Sequence, residues 1–85
     1  ARCVAEARRD FAWFDSLDDA RQLVIVNMVF NLGIAGMKQF KNMIADIEGK
    51  NWENAAKEMV NSRWSSQVKG RAIELANIMR SGRLT

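Results

Sequence analysis

The amino-acid sequence predicts an all-α fold, a compact bundle of five to seven short helices around one buried central helix. Three observations carry that expectation. The run Leu23-Val24-Ile25-Val26-Asn27-Met28-Val29-Phe30-Asn31-Leu32, followed by Gly33, is apolar on every side of a helix, and such a helix has to be wrapped by others. Elsewhere apolar residues recur at helical spacing, as in Trp52, Ala55, Ala56, Met59 and Val60. Proline is absent from all 85 residues, which suits helices joined by short glycine-containing or polar turns. A chain of this length makes one domain, 1–85, and buries only roughly 60 to 65% of its unfolded surface, so its own stability is marginal.

The elements follow in order. Arg2 to about Ala12 reads as a helix, with Val4, Ala7 and Phe11 at helical spacing and Glu6 and Asp10 on one face. Trp13-Phe14 forms an aromatic hinge. Ser16 is placed to cap the next helix, with Asp19 at the capping-box position and Asp18 favourable to the positive helix end. That helix runs to Leu32, where Gly33 supplies a left-handed terminal residue, and Gly36 breaks the chain again. Phe40, Met43, Ile44 and Ile47 share one face of a short helix that Glu48-Gly49 ends. The Trp52–Val60 stripe forms the next helix, and Ser62 to Gln67 reads as a polar turn holding Trp64. A last helix turns Val68, Ala72, Leu75, Ala76 and Met79 inward and stops at Gly82, beside Arg80 and Arg83.

Composition excludes several chemistries. The chain has no histidine, so neither a Ser-His-Asp nor a Cys-His arrangement exists, and transition metals lack their commonest ligand. No glycine-rich phosphate loop occurs, since Gly33-x-x-Gly36 is too short and lies between helices. The sequence therefore predicts no cofactor and no metal. Cys3 is the lone cysteine and reads as small filler, half-buried or buried. A glycosidase needs two facing carboxyls, one with a raised pKa in an apolar pocket, whereas the acids here stand among Arg and Lys.

The net charge of +3, from 13 basic and 10 acidic residues, leans weakly towards an anionic partner: nucleic acid, an anionic membrane surface or bacterial cell wall. The ten-residue apolar run is too short to span a bilayer, which takes about 18 residues or more, so no transmembrane segment is expected. Residues 1–10 are charged throughout and show no signal peptide. The chain opens on Ala1 and directly on a helical pattern, as expected of a fragment cut from a longer protein.

Six segments carry a family resemblance. Asp15-Ser16-Leu17-Asp18, Asn27-Met28-Val29-Phe30-Asn31-Leu32-Gly33, Trp52-Glu53-Asn54-Ala55-Ala56, Ser62-Arg63-Trp64, Gln67-x-x-x-Arg71-Ala72 and Met79-Arg80-Ser81-Gly82 follow one another as in the C-terminal lobe of T-even phage lysozyme. The chain resembles that lobe from roughly Trp13 to Gly82. The resemblance implies a phage-type endolysin, a glycoside hydrolase of the muramidase class that cleaves peptidoglycan between N-acetylmuramic acid and N-acetylglucosamine. It also implies residence in the host cytoplasm until lysis, then action in the periplasm at the cell wall.

In that family the catalytic Glu and its Asp and Thr partners belong to a small N-terminal lobe with a β-hairpin, so none falls on this sequence. The chain alone is therefore expected to be inactive, with the missing catalytic lobe and peptidoglycan as its partners. Three substrate-binding positions are implied: Phe30, Asn31 where the T-even enzyme has Gln, and Arg71 near the cleft mouth. Two further contact positions depart from the family pattern, being Met43 and Glu58. Each residue has a plainer reading beside it. Phe30 packs as core at the end of a buried helix, and Asn31 satisfies loose carbonyls of the final turn. Trp52 and Trp64 are core or core-edge, and Arg63 and Arg71 are solvated surface.

The alternative is a basic helical binding module for nucleic acid or a protein partner, with Asn42–Gly49 and Trp52–Asn61 as a helix-turn-helix. Against it, the second helix presents Glu53 and Glu58 where a groove-reading helix wants Arg, Lys, Asn or Gln, so no nucleic-acid partner is expected. A third reading is a standalone descendant of the lobe that has lost catalysis.

Overall fold

The computed structural model describes residues 2–84, so the reading of Ala1 as the start of a helical pattern lies outside them. Helix α1 spans Arg2–Asp10 and buries Ala7, while Val4 and the free thiol of Cys3 lean half-buried against the core. Phe11 extends the helical bonding by one residue, its N–H donating to Ala7 O at 2.8 Å, and its ring stacks on Trp13 at 4.7 Å between centroids. A 3-10 turn, Phe14–Ser16, follows.

The next cap is not Ser16. The Ser16 hydroxyl sits inside that turn and donates back to Trp13 O at 2.6 Å. Asp18 has the extended backbone of an N-cap residue, and its Oδ2 accepts from Arg21 N–H at 3.2 Å. The buried Leu17 consumes the intervening extended residue and so sets the helix start at Asp19.

Helix α2 spans Asp19–Lys38 and is interrupted by Gly33, whose φ of 75° and ψ of 159° fall outside helical values. The positive φ at Gly33 matches expectation; the stop does not, because the chain resumes its helix for another turn. Gly36 stays inside that turn, where an added Cβ would lie 3.1 Å from Leu32 Cβ. Val24, Ile25, Met28, Val29 and Met37 are buried, yet Leu23 and Phe30 are exposed. The helix is thus packed on one side and open on the other. At 20 residues it is long and apolar enough to cross a membrane by length and composition, exceeding the ten-residue run read from sequence. Its buried face is taken up by protein, and the break at Gly33 divides it.

Helix α3 spans Lys41–Glu48 and buries Met43 and Ile47. The left-handed residue after it is Lys50, with φ 59°, and not Gly49. Asn51 caps α4, Trp52–Val60, its Oδ1 accepting from Asn54 N–H at 3.4 Å. The expected polar turn after it is a helix, α5, Arg63–Val68. Ser62 caps it by accepting from Ser65 N–H at 3.2 Å, a local bond that makes a serine-rich segment helical at its first turn. Val68 accordingly belongs to α5. Helix α6, Gly70–Ser81, buries Ala72, Leu75, Ala76 and Met79 as expected, and Gly82 ends it in the left-handed conformation at φ 72°.

The described residues thus hold six α-helices and no strand. Helices α4 and α6 form the most extensive pair, with the small residues Ala55, Ala56, Ala72 and Ala76 all buried. Helix α2 lies against α1 and α6. Arg21, at its first turn, donates from Nε to Met79 O at 2.7 Å and from Nη2 to Arg80 O at 3.0 Å. Its guanidinium also stands 3.9 Å over the Trp52 ring. One side chain therefore ties α2 to the open carbonyls of α6 and to α4.

A second tie closes α1 on α2. Asp10 accepts from Arg9 Nε at 2.8 Å and pairs with Lys38 Nζ at 3.0 Å. The hydrogen bond from Arg9, then that from Lys38, holds the Asp10 carboxyl well below the usual carboxylate range, against a smaller opposing effect of desolvation. A depressed folded pKa stabilises the fold above the unfolded value of about 3.9 and loses that contribution as pH falls below it. The expected outcome is that urea midpoints of the native chain fall more from neutral pH to about pH 3 than those of Asp10→Asn. Equal falls in the two proteins would show that this pairing carries no native-state stability.

Candidate functional site

The residues implied as substrate contacts sit at two places. Phe30 is 78% exposed, on the outer stripe of α2 that also carries Leu23. The plainer reading of Phe30 as core fails, because the buried positions are Val24, Ile25, Met28 and Val29, and one further residue turns the helix about 100° towards solvent. Asn31 is exposed beside it, and its Nδ2 donates to Asn27 O at 2.9 Å. It satisfies a carbonyl one turn back within the helix, not one of the loose carbonyls of the final turn. Together they present a bare aromatic ring and an amide just before the Gly33 break.

Arg71 is exposed in the first turn of α6. It shares no hydrogen bond or ion pair with Phe30 or Asn31 among the described residues. The structure therefore makes neighbours of two of the three positions and leaves the third on its own element.

Helices α3 and α4 bring together the two departing positions. Met43 and Glu58 line one open cavity of about 390 Å³, with Gln39, Phe40, Lys41, Asn42, Asn61 and Ser62. Met43 forms its buried floor. Sequence reasoning flagged both residues without seeing that they face one space, because the juxtaposition depends on the start of α3 meeting the end of α4.

The tryptophans are structural. Trp52 is half-buried with Arg21 over its ring, which leaves that face closed to a sugar. Trp64 is buried, its ring meeting that of Phe40 edge-on at 6.4 Å between centroids, and its Nε1–H has no partner among the described residues. Arg63 and Lys69 are exposed.

Glu6 and Asp10, the acids on one face of α1, do not form a catalytic pair. Glu6 lies 3.8 Å from Arg2, and Asp10 is pushed down by its cations, the opposite of what a general acid needs. Among the described residues no group of His, Cys, Asp and Glu is arranged to hold a metal ion. Helices α3 and α4 do adjoin as a helix pair, but in α4 Glu53 is engaged by Arg80 at 3.0 Å and Glu58 faces the cavity. What the surface offers is an exposed ring with an amide beside it, and an open cavity of mixed polar and apolar lining.

No family model matches the chain. It is 38% identical over 71 residues to probable T4-type lysozyme 1 of Dictyostelium discoideum, a match covering 84% of this chain and 42% of that protein. It is 34% identical over the same length to probable T4-type lysozyme 2 of that organism. It is also 32% identical over 91 aligned residues to the pre-baseplate central spike protein Gp5 of Enterobacteria phage T4, covering 98% of this chain and 16% of that one. The chain thus spans less than half the length of the two lysozymes.

Proposed function

We propose that this chain, a T4-lysozyme-like sequence over 84% of its length, is the helical lobe of a peptidoglycan-cleaving muramidase and frames one wall of the substrate cleft. The match to two T4-type lysozymes carries the reading. In it, the ring of Phe30 supplies a flat apolar surface for a sugar face, and Asn31 supplies an amide that can exchange hydrogen bonds with an N-acetyl group. Arg71 meets anionic groups of the wall. The general acid belongs to a lobe carried elsewhere in the whole protein, the match covering only 42% of the length of the first T4-type lysozyme. The protein waits in the host cytoplasm until lysis and then acts at the cell wall.

The test is turbidity clearing of permeabilised Gram-negative cells. The 85-residue chain is expected to clear nothing above buffer, because it frames the substrate without a proton donor. Clearing at a rate near that of an intact phage lysozyme contradicts this division of labour.

A further inference from the structure

We propose that residues 34–39 form a strap that opens as a unit independently of the core, and that the ion pair of Lys38 with Asp10 is the latch that holds it closed. Both ends of the segment leave helical geometry. Gly33 turns the chain at φ 75° and ψ 159°, and Phe40, with a ψ of 59°, ends the turn ahead of α3. A Cβ at Gly33 would meet nothing within 4 Å, so nothing crowds the chain at that pivot. The far pivot is fixed, because the Phe40 ring packs on the core and meets the buried Trp64 edge-on.

Between the pivots the strap gives the core little. Met37 is fully buried and Ile34 half-buried, while Ala35, Lys38 and Gln39 are exposed. Gln39 N–H donates to Gly36 O at 3.2 Å and Phe40 N–H to Met37 O at 3.1 Å, bonds of a turn too short to persist in water once lifted from the protein. Opening therefore surrenders one methionine, part of one isoleucine and whatever fastens Lys38, whereas unfolding surrenders the whole core. A segment held so lightly opens at a free energy well below the global one.

The fastening is Asp10. It is the last residue of α1, where the helix dipole disfavours a carboxylate, and Lys38 is the last of α2, where the dipole favours a cation. The Asp10 side chain is only 14% exposed, so its pairing is screened less than that of a surface acid. Arg9 donates to it from Nε at 2.8 Å and from Nη2 at 2.9 Å, but Arg9 belongs to α1 and joins nothing to the strap. Lys38 Nζ, at 3.0 Å from Asp10 Oδ2, is the one ion pair among the described residues that ties the strap to another helix. An acid set against its own helix, largely covered and turned to a cation of the next element, acts as a tether.

Native-state amide exchange of the 85-residue chain, followed across low urea concentrations, reads the strap and the core separately. The Gln39 and Phe40 amides are expected to exchange faster than that of Val29 and to depend little on urea, because strap opening exposes little surface, while Val29 follows global unfolding. Lys38→Met and Asp10→Asn are each expected to speed the Gln39 and Phe40 amides about fivefold, and the double variant no more than either alone. Lys38→Arg keeps the cation and is expected to stay near the native rates. Arg21→Ala, at the other end of α2, is expected to speed Val29 and leave the strap amides unchanged. Strap amides that follow Val29 in urea, or that speed up with it in Arg21→Ala, show no separate opening and overturn the inference. Separate opening at a rate that neither Lys38→Met nor Asp10→Asn changes overturns the latch. The strap rests on no functional reading, so either result leaves the proposed function as it stands.

Discussion

Val29→Asp is expected to leave the chain unfolded at room temperature. Val29 is 2% exposed in the shared core, packed with Ile25 and Met28 of the same helix. A carboxylate there has no cation to meet, and an uncompensated buried charge costs about 3 to 5 kcal/mol beyond the lost burial of the valine. A domain this small has a total stability near the low end of about 5 to 15 kcal/mol, so the substitution removes most or all of it. Met28→Ala at the fully buried neighbouring position is expected to cost about 2 to 5 kcal/mol, a range drawn from T-even phage lysozyme itself, the family the chain resembles. Lys57→Ala, on the exposed face of α4, is expected to shift urea midpoints by less than about 0.5 kcal/mol. Core shifts equally small would show that α2 is not held as described.

Arg21→Ala is expected to cost about 2 to 4 kcal/mol. The side chain is only 12% exposed and supplies two charge-assisted hydrogen bonds to the carbonyls that end α6. It also covers the Trp52 ring, a contact worth roughly 0.5 to 2 kcal/mol. Arg21→Lys is expected to recover little, because an ammonium cannot reproduce the planar fork that reaches both carbonyls and stacks on the indole. The same guanidinium explains Gly82. A Cβ there would lie 2.8 Å from Arg21 Nη1, at a φ of 72° that side chains rarely adopt. Gly82→Ala is therefore expected to cost more in the native background than in Arg21→Ala, a coupling that a double-mutant cycle on urea melts measures. Strict additivity would show that the Arg21 contact does not fix this corner.

How much of this was legible in the residues depended on what each element draws on. Helices α1, α4 and α6 announce themselves through apolar spacing, because each buries one stripe and periodicity is a direct image of one-sided burial. Helix α5 did not, since its stability lies in the Ser62 cap and the single buried Trp64, and Ser-Ser-Gln reads as a turn by composition. The start of α2 was misplaced by two residues because Ser16 and Asp18 are both good caps, and only the burial of Leu17 selects between them. Gly33 was read as a stop although a glycine can interrupt a helix and let it resume. The site divides in the same way. Phe30 and Asn31 came from a motif, yet the exposure of Phe30 follows from its angular position on a helix packed on one side, which an all-apolar run conceals. The cavity was out of reach of any local pattern, since residues 39–43 and 58–62 meet only when α3 and α4 pack.

The role proposed for this chain is to recognise cell wall without cutting it. Its most direct test is to follow amide shifts while the chain is titrated with soluble muropeptides and, separately, with a short DNA duplex, at low and at physiological salt. Muropeptides are expected to bind weakly, to move Phe30, Asn31 and Arg71, and to depend little on salt, while DNA association fades steeply as salt rises. Sub-micromolar DNA affinity at physiological salt, with no muropeptide shift at Phe30 or Asn31, contradicts that role and assigns the chain to nucleic acid.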